Sequence, residues 1–363
     1  MLDFDKDDVL FLLKGLTVYR RVADDDVIAA LVRGDVREFT ALLIENAHLL
    51  GISGDILGRY LRHLFLCDEN LFSLACERRK DLRGSLLYEY AMKDLEVLAQ
   101  LCEHADLDGL IEYYSTRGVG DIARFSMFTL ENSGALKGVR NPDPVTFEDI
   151  IGLCGQKADL IKNTENFIAG RPANNVLLVG SRGNGKSSCV KALINTYEEL
   201  RLVEVAKDQA ALLPGLIEKL SERGKRFIIF MDDLSFEGSE TQYKYLKSLL
   251  EGGAGARPDN VLFFATSNRR HIIRESWKDR DSDDDIHIND TINELMSLPD
   301  RFGLTLHFPH LNQEEYLNIV TSLAKKRGLN IDPDDALKWA AQNKRMSGRT
   351  AVQFLLNFDL EVF

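Results

Sequence analysis

The stretch NNVLLVGSRGNGKSS, Asn174 to Ser188, joins two kinds of sequence. Val176-Leu177-Leu178-Val179 is short and apolar, the signature of a strand buried on both faces. A polar run follows with fixed spacing: Gly180, four residues, then Gly185-Lys186-Ser187. From Ser188 onward CVKALINTYEEL predicts a helix. Strand, spacing and helix together specify a phosphate-binding loop. The glycines permit backbone angles closed to other residues, so N–H groups can close around phosphate oxygens. Lys186 supplies a point charge for the β- and γ-phosphates and Ser187 a hydroxyl for Mg²⁺, while the helix start favours an anion. Gly180, Ser181, Arg182, Gly183, Asn184, Gly185, Lys186, Ser187 and Ser188 are the candidate nucleotide-binding residues.

Downstream, four more apolar runs read as strands: Leu202–Val205, Phe227–Met231, Val261–Thr266 and Leu304–Phe308. Helical patterns at Ala210–Arg223 and Glu240–Glu251 lie between them, and a glycine-rich loop at Gly252–Pro258 follows the second. Alternating strands and helices imply a parallel sheet covered on both faces, with ligands beyond the carboxyl ends of the strands. Three sets of candidate groups fall there. Asp232-Asp233 ends the third strand, about 45 residues after the phosphate loop. One carboxylate suits Mg²⁺ and its neighbour an attacking water, with a plain acidic turn as the alternative. Asn268 ends the fourth strand. Arg301, in LPDRFGL, and Arg349, in SGRTA, supply positive charge. Residues 312–363 carry three helical patterns and no further strand.

Upstream, residues 1 to about 140 read as mainly helical. Apolar residues recur at spacings of three and four in Val27–Val32, Phe39–Ile44, Ile56–Leu66, Leu86–Leu101 and Leu107–Tyr114, and no proline precedes Pro142. The basic and aromatic residues here (Arg78, Arg79, Lys80, Tyr88, Tyr90, Tyr113, Tyr114) suit a solvated helix face with aromatic core positions better than a partner surface. Gly134–Pro144 reads as a linker. Thr146 is a candidate helix N-cap with Asp149 three residues on, and Gln156–Phe167 a helix ending near Gly170.

The 363 residues suffice for two or three domains. A net charge of −12 argues against strong non-specific nucleic-acid binding. No apolar run is long enough to span a bilayer, and MLDFDKDDVLFLLKGL lacks the basic flank of a secretory signal. A cytoplasmic protein is expected. Its five cysteines, Cys67, Cys76, Cys102, Cys154 and Cys189, show no metal-ligand spacing and are expected reduced.

From about Val145 to the C-terminus the chain resembles an AAA+ ATPase module. Gly180–Ser187 resembles the Walker A motif, Phe227–Asp233 the Walker B, Asn268 sensor 1, Arg301 an arginine finger and Arg349 sensor 2. The segments FEDIIGLCGQK, NNVLLVGSRGNGKSS, FMDDLSFEG, ATSNRRHI and LPDRFGL are similar to the bacterial family DUF815. The resemblance implies an α/β AAA+ P-loop fold with a five-stranded parallel sheet. A helical N-terminal domain over 1–140, a nucleotide-binding domain over 141–311 and a helical lid over 312–363 are the expected divisions. ATP and Mg²⁺ are the implied cofactors, with Ser187 and Asp232 on the metal and Ile151 and Gly152 near the adenine. Asp233, Asn268, Arg301 and Arg349 are the implied catalytic residues, Arg301 acting across a homo-oligomer. The implied activity is ATP hydrolysis that remodels or loads a macromolecular partner, with a protein of unknown identity as the expected one. A nucleotide-dependent switch with little turnover is the alternative, and a loader acting on DNA-bound proteins a third, less favoured reading that would draw on Arg269, Arg270 and Arg274.

Three features depart from the family pattern. Asp233 stands where most AAA+ ATPases carry Glu, one methylene further from a water, which implies slow hydrolysis. The lid is short, about 50 residues. The acidic stretch Trp277–Asp290 lacks the glycine and distal glutamate of an EF-hand loop and reads as a solvated loop.

Overall fold

The structure is a computed structural model that describes residues 15–99, 107–234, 258–268, 301–343 and 345–361. The expectations for Glu240–Glu251, Gly252–Arg257, Arg269, Arg270, Arg274, Trp277–Asp290 and Cys102 lie outside the described residues. The chain divides into two compact units, Met1–Phe125 with Arg223–Lys225, and Ser126–Glu222 with Arg226–Phe363.

In the first unit the helices are α1 (Asp26–Arg33), α2 (Val36–Leu50), α3 (Ile56–Cys67), α4 (Leu71–Glu77), α5 (Leu86–Ala99), α6 (Leu107–Arg117) and α7 (Asp121–Arg124). Their limits follow from side chains at the ends. The Asp25 carboxylate accepts from Val27 and Ile28 N–H to start α1, and Gly34 takes φ 72° to end it. Asn70 and Ser73 form a reciprocal capping box at α4. Tyr19, Phe65, Phe72 and Tyr114 are fully buried, and the Tyr114 hydroxyl donates to the Phe65 carbonyl at 2.7 Å. The buried Asp94 carboxylate accepts from the backbone N–H groups of Thr17, Val18 and Tyr19, which fixes the segment leading to α1. The free cysteines are Cys67, Cys76, Cys154 and Cys189 among the described residues; Cys154 is exposed, and burial pushes the Cys189 thiol up to about 12.

The second unit holds the sheet. Its strands are β1 (Met127–Leu130), β2 (Leu136–Gly138), β3 (Val176–Gly180), β4 (Leu200–Glu204), β5 (Arg226–Met231), β6 (Val261–Ser267) and β7 (Leu304–Phe308). The spatial order is β2-β1-β4-β5-β6-β3-β7, parallel throughout except for the β1–β2 hairpin. The five strands expected from the sequence are all present and parallel. The all-helical reading of the first 140 residues requires correction, because β1 and β2 fall within it and bring the sheet to seven strands. β1 is held by β4, some 75 residues away, with Phe128 opposite Val203. That partner is invisible in the local pattern, which shows only four residues, three of them apolar.

Helices α8 (Cys154–Ile168), α9 (Lys186–Thr196) and α10 (Leu213–Ser221) connect the strands. Thr146 does not cap a helix. Its N–H and hydroxyl donate to Asp149 Oδ2 at 2.9 and 2.7 Å, closing a turn, and α8 starts later, at Cys154. β5 and β6 are buried almost end to end, as strands inside a covered parallel sheet must be. The lid helices α11 (Gln313–Lys326), α12 (Pro333–Gln342) and α13 (Gly348–Glu361) pack around Tyr316, Val320, Ala340 and Leu355. Among the described residues no helix is long and apolar enough to cross a membrane.

Gly180 marks the tightest backbone approach of the sheet to the loop. It takes φ 148°, and a Cβ there would lie 2.0 Å from the Phe308 carbonyl oxygen of β7. Phe308 is paired directly with Gly180 in the β3–β7 ladder, so its carbonyl cannot move away without loosening that pairing. Gly180→Ala is expected to lower stability by about 2–4 kcal/mol, read as a shifted urea midpoint. An unchanged midpoint would show that β7 steps aside.

Candidate active site

β3 lies between β6 and the edge strand β7. β6 therefore separates the phosphate-loop strand from β5, with Leu178 opposite Thr266 and Met231 opposite Ala265. This register brings the loop, Asp232-Asp233 and Asn268 to the same end of the sheet. α9 begins at Lys186, after Gly185 turns the chain at φ 87°.

Lys186 is only 5% exposed. Its Nζ donates to the carbonyls of Gly180 at 2.7 Å and Ser181 at 2.8 Å, and to Asn268 Oδ1 at 2.9 Å. Burial pulls its pKa down to about 8; Asp232 and Asp233 oppose that shift, while Arg182 and Arg349 reinforce it. Ser187 Oγ donates to Asp232 Oδ1 at 2.7 Å, and Thr266 Oγ1 donates to the same oxygen at 2.6 Å. Thr266 Oγ1 also accepts from the Asp233 N–H at 2.8 Å, so one hydroxyl orients both acids. Ser187 and Asp232 thus present oxygen donors side by side beside the phosphate loop. That set fits Mg²⁺, which takes one or two protein oxygens and leaves its other positions to phosphate and water.

Asp233 holds a left-handed backbone conformation, φ 55°. Its Oδ1 accepts from Asn268 Nδ2, and its Oδ2 lies 3.0 Å from Arg182 Nη2 and 3.9 Å from Lys207 Nζ. Ser181 Oγ meets the His310 ring at 2.7 Å.

The lid joins the loop directly. The Arg349 N–H donates to the Gly183 carbonyl at 3.1 Å. A Cβ on Gly183 would lie 3.0 Å from Ser347 Oγ and 3.1 Å from Arg349 Cβ, so the second loop glycine lets the start of α13 come close.

These groups border a cavity of about 990 Å³. Arg182 to Ser188, Asp232, Asp233, Asn268 and Arg349 line its polar side; Ile151, Leu153, Ile319, Leu323 and Val352 line an apolar side. An apolar pocket with convergent polar groups at one end suits a base with phosphates attached. Not every candidate faces this space. Gly180 and Ser181 act from beneath, through their carbonyls on Lys186. Gly152, at φ 75°, turns the chain behind Ile151 and is not part of the lining. Arg301 lies outside it too, immediately before Phe302, which packs on Phe263 with ring centroids 6.0 Å apart.

Thr266, Lys207 and His310 were not among the sequence candidates. A hydroxyl at the end of the otherwise apolar β6 was a usable signal for Thr266. Lys207 and His310 reach the site only through the sheet order, and nothing in their local sequence marks them.

The family model described as "Protein of unknown function (DUF815)" matches residues 122–361. The ATP-dependent zinc metalloprotease FTSH 7, chloroplastic, of Oryza sativa subsp. japonica is 26% identical over 199 residues, covering 47% of this chain and 23% of that protein. The chain thus spans about a quarter of the length of this curated relative. Two substituted forms of Thermotoga maritima RuvB superpose at TM-scores of 0.41 and 0.39, each 16% identical over 58% of this chain and covering 63% and 62% of theirs.

Proposed function

The chain belongs to the DUF815 family, whose model spans two-thirds of it at residues 122–361, and from the groups gathered at the cavity we propose a cytoplasmic AAA+ ATPase that couples ATP hydrolysis to remodelling or loading a macromolecular partner. One observation carries the reading: Lys186, the Ser187–Asp232 pair, the Asp233–Asn268 pair and Arg349 of the lid converge on one cavity with an apolar side. The Gly183–Lys186 backbone cradles the phosphates and Lys186 contacts the γ-phosphate. Ser187 and Asp232 hold Mg²⁺, which when bound neutralises charge on the β- and γ-phosphates. Asp233 and Asn268 orient the attacking water. Arg349 reads the γ-phosphate from the lid, and Arg301 serves the site of a neighbouring copy. Ile151 packs against the adenine.

The test is phosphate release. Wild-type protein is expected to hydrolyse ATP with Mg²⁺ and to stop when the metal is chelated. Asp233→Asn is expected to keep ATP binding and lose turnover by about 10²-fold or more, as loss of a water-positioning group does. Undiminished turnover in that variant would remove Asp233 from the mechanism.

A second reading, a nucleotide-dependent switch with little turnover, is favoured by one feature. Asp233 is shorter than the usual Glu and is already engaged by Arg182 and Asn268. A loader acting on DNA-bound proteins stands behind both. Wild-type protein that binds ATP with Mg²⁺ and releases no phosphate at any protein concentration would select the switch.

A further inference from the structure

The groups assigned to the γ-phosphate and to water are not independent. Lys186 donates to Asn268 Oδ1, Asn268 Nδ2 donates to Asp233 Oδ1, and Asp233 Oδ2 pairs with Arg182 Nη2 at 3.0 Å. The two ends of this chain are cations set in the phosphate loop itself. Its middle is the pair that orients water. Arg182 has no part in the loop pattern, which fixes only glycines, Lys186 and Ser187.

Arg182 borders both candidate destinations. It lines the nucleotide cavity, and it also lines a smaller space of about 320 Å³ with Arg345 and Arg349. Its side chain is 61% exposed and Asp233's is 40% exposed, so their pairing is a weak, water-screened restraint. A γ-phosphate beside Lys186 brings three acceptor oxygens and up to two negative charges. A planar guanidinium binds such a group in a fork, more strongly than it holds an exposed carboxylate.

We propose that Arg182 is a positioning residue operated by the γ-phosphate: it pairs with Asp233 until a γ-phosphate claims its guanidinium, and Asp233 is thereby released to accept from the attacking water. The same phosphate draws Lys186 from Asn268, so both water-orienting groups are freed by one event. ADP lacks the phosphate that competes and leaves the Arg182–Asp233 pair intact. The inference rests on the ATPase reading and adds to it a reason why the shorter acid at position 233 becomes available only with ATP.

The experiment measures equilibrium binding of ADP and of β,γ-imido-ATP, with Mg²⁺, to wild type, Arg182→Ala, Arg182→Lys, Asp233→Asn and the Arg182→Ala/Asp233→Asn double variant. Arg182→Ala is expected to weaken the imido analogue by about tenfold, the loss of one charge-assisted contact, and ADP by less than about twofold. Arg182→Lys should recover part of that loss. Asp233→Asn should tighten the analogue, and by about threefold more when Arg182 is present than when it is alanine, because only then does the substitution remove a competing partner. Equal losses for the two nucleotides in Arg182→Ala, no loss for either, or the same Asp233→Asn gain in both backgrounds would overturn the proposal, while phosphate release by wild-type protein separately upholds the ATPase reading. Wild-type protein that binds neither nucleotide would overturn both. Thermal melts establish that each variant is folded, and Arg182→Lys carries the test should the alanine variant not be.

Discussion

Lys186→Ala is expected to weaken ATP binding by at least about 100-fold, taking the lost charge-assisted contacts as about 3 kcal/mol. The side chain is desolvated before any phosphate arrives: 5% exposed, with all three donors on protein oxygens and a pKa pulled down to about 8. A polyphosphate returns to the ammonium what burial took away. Binding should therefore favour the charged form, and wild-type affinity should fall as pH rises through about 8. Thermal melts establish that the variant is folded, since two of the three acceptors it leaves, the Gly180 and Ser181 carbonyls, lie outside the cavity lining. Calorimetry at pH 7 and pH 9 reads both effects. Unchanged ATP binding in the variant would show that the phosphates lie elsewhere.

Arg301→Ala is expected to lower ATP turnover by about 10³–10⁵-fold, the range for arginines that stabilise a transferring phosphoryl group. The residue stands just before β7, the edge strand of the sheet, and outside the cavity of its own chain. Acting on a neighbour's nucleotide reconciles a large effect with that position. A surface ion pair would contribute only about 0–1 kcal/mol and leave turnover nearly intact. Mixing separates the two. Arg301→Ala protein has an intact phosphate loop, and Lys186→Ala protein an intact Arg301. Together they should recover activity that neither shows alone, and wild-type activity should climb faster than protein concentration. Strict proportionality down to a demonstrated monomer would eliminate the shared site.

What could be read from the sequence is what local spacing determines. Gly180 to Ser187 form one turn between a strand and a helix, so their residue types and intervals specify the geometry without help from the rest of the chain. Asp232 and Asn268 follow buried apolar runs, and a parallel sheet delivers all such ends to one side. The pairings across those ends were not legible. Arg182 meets Asp233 across 51 positions and Lys186 meets Asn268 across 82, distances that only the β5-β6-β3 order closes. Thr266 lies between these cases: its place at the end of β6 was evident, its role as the hydroxyl shared by two acids was not. The hairpin failed for the same reason as the pairings. Met127–Leu130 is too short to declare itself, and what stabilises it is β4.

That hairpin also bears on how the molecule avoids sticking to copies of itself. A parallel sheet ending at β4 would offer a row of unpaired backbone donors and acceptors, with four of its five residues buried and three of those, Leu200, Leu202 and Val203, apolar, a template for any extended chain. β1 occupies that row. β2 then closes the sheet with three residues running the opposite way, the exposed Lys137 among them, and so short and charged a rim is a poor seed for aggregation. Since the family match begins at residue 122, just ahead of β1, the rim is inherited with the nucleotide-binding machinery. A fragment trimmed at residue 140 would keep every candidate phosphate-binding group and leave the β4 edge uncovered.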